Sequence, residues 1–244
     1  MEKAGFLLVN KPKDISSYDC IRHLKRIIKE QVKIGHAGTL DPFAEGLLLV
    51  AINREATRLI DNLMHMDKEY VATVKLGELT DTLDCTGTVI SQEDVASTIS
   101  EKQLRAAVTS FLGNYEQIPP AYSALKHEGV PLYKLAREQK VNEETMDAIT
   151  KDKARTVIIH AIELVEFKPP FFTVKTTVSK GTYVRSLMND IAKKLNTVAT
   201  TYELTRTRIG PFDLRNAIPL DAFTSIQVIS TSLIPYQVAQ TLIE

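Results

Sequence analysis

This sequence is poor in several features, and each scarcity excludes a class of protein. Its 244 residues include no tryptophan and only two cysteines, Cys20 and Cys85, which cannot form a disulfide framework and suit a reducing compartment. No apolar run approaches the roughly eighteen residues of a membrane span, and the N-terminus lacks a secretory-signal pattern. Basic and acidic residues balance at 30 each, which excludes a strongly basic nucleic-acid coat. We expect a cytoplasmic globular protein with no membrane partner.

The neutral total charge hides an uneven distribution along the chain. Residues 168–216 hold nine lysines and arginines against three acidic residues, whereas residues 61–167 hold eighteen acidic and eleven basic residues. A polyanion would therefore prefer surfaces formed by the two ends of the chain, provided that those ends meet in space. On charge alone, an ordinary solvated surface explains the pattern equally well.

Hydrophobic periodicity predicts helices and strands in mixed order within one continuous domain. Alternating or continuous apolar residues predict strands at residues 5–10, 70–76, 155–167, 172–178 and 200–209, while residues 46–52 fit a strand or the start of a helix. Helical spacing predicts helices after Ser16, at residues 55–64, after Ser100, at residues 132–139 and after Thr182. In the helix after Ser100, the predicted buried stripe is Leu104, Val108, Phe111 and Leu112, and Gly113 is expected to end the helix. Without strict βαβ alternation, the expected class is α+β with a mixed, largely antiparallel central sheet flanked by helices.

The usual signatures of cofactor and metal sites are missing. The sequence has no Gly-x-Gly-x-x-Gly motif, no phosphate-binding loop, no Cys-x-x-Cys and no Gly-x-Ser-x-Gly elbow, and its five histidines are scattered. We therefore expect neither a cofactor nor a metal. Carboxylate, arginine and aromatic side chains remain as candidates for chemistry.

Two stretches combine such residues with a constrained backbone. Residues 35–46 contain three glycines, His36 and the pair Asp41-Pro42, and the proline biases Asp41 toward an extended backbone that would hold its carboxylate in place. Residues 179–187 lie at a strand-to-helix junction, where Arg185 could pair with a carboxylate. Taken separately, each stretch is more typical of a structural turn or a surface arginine than of catalysis.

Together with five other blocks in the same order, these stretches resemble the TruB family of tRNA pseudouridine synthases. The sequence His-Ala-Gly-Thr-Leu-Asp-Pro-x-Ala-x-Gly at residues 36–46 is similar to the catalytic motif of that family, and residues 180–187 are similar to its arginine motif. The other similar blocks are residues 10–17, 67–70, 77–87, 117–126 and 204–212. One departure is residues 53–57, Asn-Arg-Glu-Ala-Thr, where the family usually has Gly-Lys-Ala-Thr.

The resemblance implies a fold, an activity and roles for seven residues. It implies a pseudouridine-synthase fold with an RNA-gripping insertion, acting on the uridine at position 55 in the T arm of tRNA. Asp41 would be the nucleophile, Arg185 the partner that keeps it ionised, and Tyr70 the ring that stacks on the flipped-out uracil and serves as a general base. The remaining roles belong to the base pocket: Tyr183 and Leu204 line it, His36 fills the space that the base vacates in the RNA, and Lys11 supports the pocket or contacts phosphate.

The resemblance also shapes our expectations for domains and partners. The C-terminal PUA-like domain of the family has no counterpart before Glu244, so we expect residues 1–220 to form the catalytic domain. Residues 221–244 would be the start of that missing domain, or a remnant before it. The expected partner is the T stem-loop of tRNA, which Tyr122 and Lys126 would help to grip, and the expected state is a monomer.

Three other functions compete with this interpretation. A non-catalytic tRNA-binding chaperone would use the same RNA surface, although it would not need Asp41, Tyr70 and Arg185 together. A synthase working inside a guide-RNA complex would normally rely on the C-terminal domain. An unrelated hydrolase would need a second acid near Asp41, for which Glu45 is the candidate.

Overall fold

A computed structural model describes residues 3–29, 31–95 and 99–243 of the chain. The first elements in chain order are β1 (Gly5–Lys11), α1 (Ser17–Ile28), β2 (Ile34–Ala37), β3 (Glu45–Ile52), α2 (Asn53–Thr57), α3 (Ile60–His65), β4 (Lys68–Leu76) and β5 (Glu78–Thr80). The middle of the chain forms β6 (Val89–Gln92), α4 (Glu101–Thr109), β7 (Gly113–Gln117), β8 (Lys126–His127), β9 (Val130–Pro131), α5 (Leu132–Arg137) and α6 (Glu143–Asp152). Next come β10 (Arg155–Lys168), β11 (Phe171–Val178), α7 (Val184–Lys193), β12 (Ala199–Ile209), β13 (Phe212–Asp213), β14 (Ile218–Pro219), α8 (Ile226–Ser232), β15 (Ile234–Pro235) and α9 (Tyr236–Ile243).

The chain divides into two compact units. Met1–Val71 and Leu204–Glu244 form the first unit, and Ala72–Glu203 form the second. Strands β4 and β12 contribute residues to both units. Residues 221–243 lie in the first unit, where they form α8, β15 and α9.

The first unit is built around β3, whose residues from Leu47 to Ile52 are all buried. This strand pairs antiparallel with β1 and β2, and parallel with β12. Alternate side chains of β1 and β3 point to opposite faces, as the two-residue period of a strand requires. One face packs Phe6, Leu8, Leu47 and Leu49 into a first core cluster, and the other packs Leu7, Val9, Leu48 and Val50 into a second.

Helix α1 covers the second of these faces. Ser16 caps it in a capping box with Asp19, so the helix starts where the sequence predicts. Its buried residues Cys20, Ile21, Leu24 and Ile28 join the core cluster that holds Leu7 and Val9. The helix ends at Lys29, which adopts a left-handed backbone conformation.

The second unit contains the long hairpin of β10 and β11, with β7 paired antiparallel to β10. A smaller hairpin joins β5 and β6, also antiparallel. In the first unit, the pairs β1–β14 and β3–β12 are parallel, whereas β1–β3 and β2–β3 are antiparallel. The predicted α+β class with mixed, largely antiparallel pairing is therefore confirmed.

Several predicted element boundaries are wrong. The helix predicted at residues 55–64 is divided into α2 and α3, because the N–H of Leu59 bonds the carbonyl of Ala56, three residues back, and the backbone tightens there. Helix α4 ends at Thr109, so Leu112 lies beyond it with 56% of its surface exposed rather than in the buried stripe. Gly113 does not end this helix but begins β7.

Four further helices differ from expectation. Helix α7 begins at Val184 and ends at Lys193, so Thr182 precedes it by two residues. Helices α6, α8 and α9 were not predicted, because their short apolar stripes are interrupted by polar residues. Among the described residues, no helix has both the length and the hydropathy that a membrane crossing requires.

Candidate active site

Asp41 lies on the loop between β2 and β3 in the first unit, and its side chain is half-buried. The loop turns at Gly38, whose φ of +86° lies in the region that favours glycine. It closes with a hydrogen bond of 3.2 Å from the N–H of Ala44 to the carbonyl of Asp41. The predicted nucleophile is therefore held on a short segment that enters directly into a buried strand.

Lys11, at the end of β1, anchors this loop through hydrogen bonds from its side chain. Its side chain is fully buried, and its Nζ donates to the carbonyl oxygens of Pro12 and Ile15 at 2.8 Å and of Pro42 at 3.2 Å. Burial lowers the pKa of Lys11, while the negative charge of Asp41 opposes that shift. Of the two roles expected for Lys11, this geometry favours support of the pocket over contact with phosphate.

Arg206, a residue of β12, also anchors this loop. The sequence analysis gave it no role. Its guanidinium is buried, and it donates from Nε to the carbonyl of Leu47 at 2.8 Å and from Nη2 to the carbonyl of Gly38 at 3.0 Å. The backbones also approach closely here, since a Cβ on Gly46 would lie 2.4 Å from the carbonyl oxygen of Arg206. The available signal was its position within the block at residues 204–212, two positions after Leu204, which was assigned to the base pocket.

His36 lies on β2, paired with Val50 of β3. Its Nδ1 is buried, and among the described residues no group forms a hydrogen bond with that atom. Burial, together with the positive charge of Arg206, lowers the pKa of His36 below its ordinary value of 6.5. The imidazole is therefore stabilised in its neutral form.

This shift predicts a pH dependence of stability. Because folded His36 resists protonation, the unfolded chain binds more protons below pH 6.5, and the free energy of unfolding falls as the pH decreases. We expect urea unfolding between about pH 7 and pH 5 to show this fall, and a shallower fall in His36→Gln. His65→Gln, which changes an exposed histidine on α3, controls for the loss of an imidazole. Equal slopes in the wild type and His36→Gln would contradict the prediction.

The first unit also carries two other predicted site residues. Tyr70 lies on β4 with a half-buried ring, and Leu204 lies on β12 with a buried side chain. The first unit therefore holds five of the seven residues that the sequence singles out, namely Lys11, His36, Asp41, Tyr70 and Leu204.

Arg185 belongs to the second unit and is buried rather than on the surface. It is the second residue of α7 and is 3% exposed. Its Nη1 lies 3.3 Å from the Oδ2 of Asp84 and also donates to the carbonyl of Thr82, while Nη2 donates to the carbonyl of Tyr122 at 3.0 Å. Asp84 is thus the buried partner of Arg185 within the second unit, and the sequence analysis placed it in a motif block without giving it a role.

Asp84 is itself held by neighbouring hydroxyl and amide groups. Its Oδ1 accepts from the Oγ1 of Thr82 at 2.9 Å and from the N–H of Thr86 at 3.0 Å. Asp84 is 5% exposed, so this ion pair is shielded from water on both sides. A buried pair with these additional hydrogen bonds sets the orientation of the guanidinium.

Tyr183 caps α7 and is fixed from two directions within the second unit. Gln117 accepts from its N–H at 2.7 Å and donates to its carbonyl at 3.0 Å. The guanidinium carbon of Arg155 lies 5.3 Å from the centre of its ring, a cation–π contact. The structure thus holds both the backbone and the ring of this predicted pocket residue.

Residues 117–126, the block that resembles the RNA-gripping insertion, pack against a small separate core through Ala121 and Leu125. Leu132, Leu135, Met146 and Ile149 form a separate buried cluster on α5 and α6. Tyr122 donates through its hydroxyl to Asp81 at 3.2 Å, and Lys126 is exposed on β8. Among the described residues, no group of three or more His, Cys, Asp or Glu side chains could hold a metal ion.

Comparison with known proteins assigns the family. Residues 25–184 match the model described as TruB family pseudouridylate synthase (N terminal domain). A tRNA pseudouridine synthase B from Protochlamydia amoebophila is 42% identical over 214 residues, which cover 88% of this chain and 77% of the relative. This chain belongs to the TruB family.

Other TruB relatives agree in identity and in length. Those from Francisella tularensis and Thermosipho melanesiensis, also named tRNA pseudouridine synthase B, are each 42% identical to this chain. The matches cover 89% and 88% of this chain, but 68% and 66% of the relatives, which are longer. The predicted family and the predicted enzyme class, a pseudouridine synthase and hence an isomerase, are confirmed.

Solved structures share the fold of this TruB-family chain. A crystal structure of a Cbf5–Nop10–Gar1 complex matches with a TM-score of 0.69 and 26% identity, covering 96% of this chain and 60% of that chain. The archaeal box H/ACA sRNP Nop10–Cbf5 complex matches with a TM-score of 0.66 and 25% identity, again covering 96% and 60%. The chain thus spans about three fifths of the solved chains it matches, and the predicted pseudouridine-synthase fold is confirmed.

Proposed function

We propose that this chain converts uridine to pseudouridine at position 55 in the T arm of tRNA, with Asp41 as the nucleophile. The observation that carries the proposal is the Asp41 loop, which matches the catalytic motif of the family and is held by the buried side chains of Lys11 and Arg206. The names of the 42% identical relatives support tRNA as the substrate class. Position 55 and the role of Asp41 come from the motif resemblance.

The proposed reaction needs no oxidant or reductant, because each bond that breaks is matched by a bond that forms. The bond between uracil N1 and the ribose C1′ breaks, a bond between uracil C5 and C1′ forms, the C5 proton leaves and N1 regains a proton. Asp41 supplies the carboxylate that assists the separation of base and sugar. By resemblance, Arg185 is the cationic partner of that nucleophilic carboxylate.

The uridine must leave its stack before it can react, at a cost of roughly a few kcal/mol. In this proposal Tyr70 stacks on the flipped-out uracil and then removes the C5 proton as a general base. Tyr183 and Leu204 line the base pocket, and His36 fills the space left in the RNA. The lowered pKa of His36 suits that last role, because a neutral imidazole stacks among bases without carrying a charge there.

The T stem-loop would be held by phosphate and aromatic contacts outside the pocket. Exposed Lys126 and the basic residues within 168–216 other than the buried Arg185 and Arg206 supply positive charge for the phosphates, which position an RNA without reading its sequence. Tyr122, within the proline-stiffened segment of the insertion, would flank the loop. We propose that a monomer suffices, since each of these residues comes from one chain.

Two competing functions can be distinguished from the proposed function by experiment. The structural similarity to Cbf5 complexes keeps a guide-dependent synthase as an alternative, although identity to those chains is 26% against 42% for relatives named tRNA pseudouridine synthase B. A hydrolase would need Glu45 as a second acid, but its Oε1 accepts a hydrogen bond from the Thr205 hydroxyl at 3.3 Å.

The proposal predicts tritium release from one uridine without any other RNA present. The purified chain is incubated with a tRNA transcript that carries tritium at C5 of its uracils, and released tritium is counted. We expect about one equivalent per tRNA, and none from a transcript in which uridine 55 is replaced by cytidine. Equal release from both transcripts would contradict the assigned position, and release that requires an added guide RNA would support the guide-dependent alternative.

A further inference from the structure

We propose that Ser17 is a positioning residue for Asp41, acting through the backbone of Leu40. The proposal rests on the proposed function, because it gives Ser17 a role in aligning the carboxylate of that reaction. None of the motif roles described above involves the Ser17 hydroxyl.

The Ser17 hydroxyl binds both backbone polar groups of Leu40. The N–H of Leu40 donates to the Oγ of Ser17 at 2.9 Å, and that Oγ donates to the carbonyl oxygen of Leu40 at 3.1 Å. Both residues are buried, with Ser17 1% and Leu40 2% exposed. One hydroxyl therefore satisfies two buried groups of a residue that is 23 positions away in the chain.

Ser17 is not needed to cap its own helix, because its neighbour does so. Ser16 accepts the N–H of Asp19 at 3.2 Å, and the Asp19 carboxylate accepts the N–H of Ser16 at 2.8 Å. Ser17 is the first residue of α1. The helix behind it is anchored by Cys20 and Leu24 in the core, so the hydroxyl is presented from a rigid support.

The held carbonyl lies in the peptide unit that joins Leu40 to Asp41. Because a peptide unit is planar, holding the Leu40 carbonyl also holds the plane that contains the Asp41 N–H and the Asp41 Cα. The plane that leaves Asp41 is fixed too, since the Asp41 carbonyl accepts the N–H of Ala44. Asp41 thus lies between two fixed peptide planes, which set the direction in which its side chain leaves the backbone.

Loss of the Ser17 hydroxyl should therefore slow the chemical step and spare RNA binding. In Ser17→Ala the Leu40 N–H and carbonyl lose their partner, and the entering plane can rotate. A displacement of about 1 Å at a reacting group costs on the order of 100-fold in rate. We expect the single-turnover rate constant for tritium release to fall about 10- to 100-fold, with the Kd for tRNA within about twofold of the wild type.

Ser16→Ala is the matched control, because it removes the same atom one residue earlier. It breaks the capping box and lowers the melting temperature, but leaves the Leu40 contacts in place. We expect its single-turnover rate constant to stay within about twofold of the wild type. If Ser17→Ala slows the reaction no more than Ser16→Ala does, the proposal is overturned.

Two further measurements keep the proposal testable. Hydrogen exchange at the Leu40 amide should be slow in the wild type and in Ser16→Ala, and faster in Ser17→Ala. An exchange rate in Ser17→Ala equal to that of the wild type would refute the role of the Ser17 hydroxyl, whatever the activity of the variant. If Ser17→Ala does not fold, Ser17→Cys takes its place, because a thiol is a weaker donor and a weaker acceptor than a hydroxyl. We expect its single-turnover rate constant to lie between the wild-type value and the value expected for Ser17→Ala. Failure of the proposed function would appear differently, as a wild type that binds tRNA and releases no tritium.

Discussion

Asp41→Asn is expected to reduce the single-turnover rate constant for tritium release by about 10⁴-fold or more. The amide has nearly the size of the carboxylate but is not a nucleophile, so the separation of base and sugar loses its assistance. The backbone of the loop should be unaffected, because Lys11, Ser17 and Arg206 bind its carbonyl groups in this variant as well. The Kd for tRNA, measured by filter binding, should stay within about twofold.

Glu45→Gln is the control for this substitution, since Glu45 is the other carboxylate at the same loop. In the proposed reaction it performs no step, and its Oε1 contacts the Thr205 hydroxyl. We expect this variant to retain the wild-type rate constant within about threefold. A loss as large as that of Asp41→Asn would indicate a two-carboxylate mechanism, and tRNA binding with full activity in Asp41→Asn would refute the role of Asp41.

Arg185→Met is expected to destabilise the protein by about 3–5 kcal/mol, because it leaves Asp84 as a buried carboxylate without its paired guanidinium. The carbonyls of Thr82 and Tyr122 lose a donor in the same substitution. Urea unfolding should report this as a lower midpoint. Tritium release should fall by at least about 100-fold as well, since Arg185 is the proposed partner of Asp41.

Two further variants separate stability from chemistry. In Arg185→Met/Asp84→Asn no buried charge is left alone, so we expect part of the stability to return while turnover remains lost. Arg105→Met breaks an ion pair with Glu101 whose side chains are 55% and 58% exposed, and it should cost less than about 1 kcal/mol. Equal destabilisation by Arg185→Met and Arg105→Met would contradict the structural assignment of the buried pair.

The sequence predicts correctly those elements that are determined by interactions between residues close to one another in the chain. The capping boxes at Ser16 and Ser100 mark the starts of α1 and α4, and the β-branched residues of β10 and β11 mark both strands within a few residues. Where packing competes with periodicity, the prediction is wrong. Leu112 has the spacing of a buried residue, but the chain has already left the helix to form β7.

The motifs of the candidate site were visible in the sequence, but the contacts that hold it were not. Asp41, Tyr70 and Arg185 stand in the ordered blocks that identify the family, and they are the residues proposed to carry the chemistry. The supports come from distant segments: Arg206 reaches Gly38 across 168 positions, and Arg185 bonds Thr82 across 103. No spacing rule connects such positions, since only the folded sheet and helices bring them together.

The sequence by itself thus determined the family, the class of reaction and the identity of the residues proposed to perform it. Those conclusions follow from residue types in a fixed order, which survive without any knowledge of the fold. Only the tertiary structure decided that Lys11 is buried on three carbonyls, that Asp84 pairs with Arg185, and that Ser17 holds Leu40. Burial and hydrogen-bond partners are properties of packed elements, and a chain acquires them only when it folds.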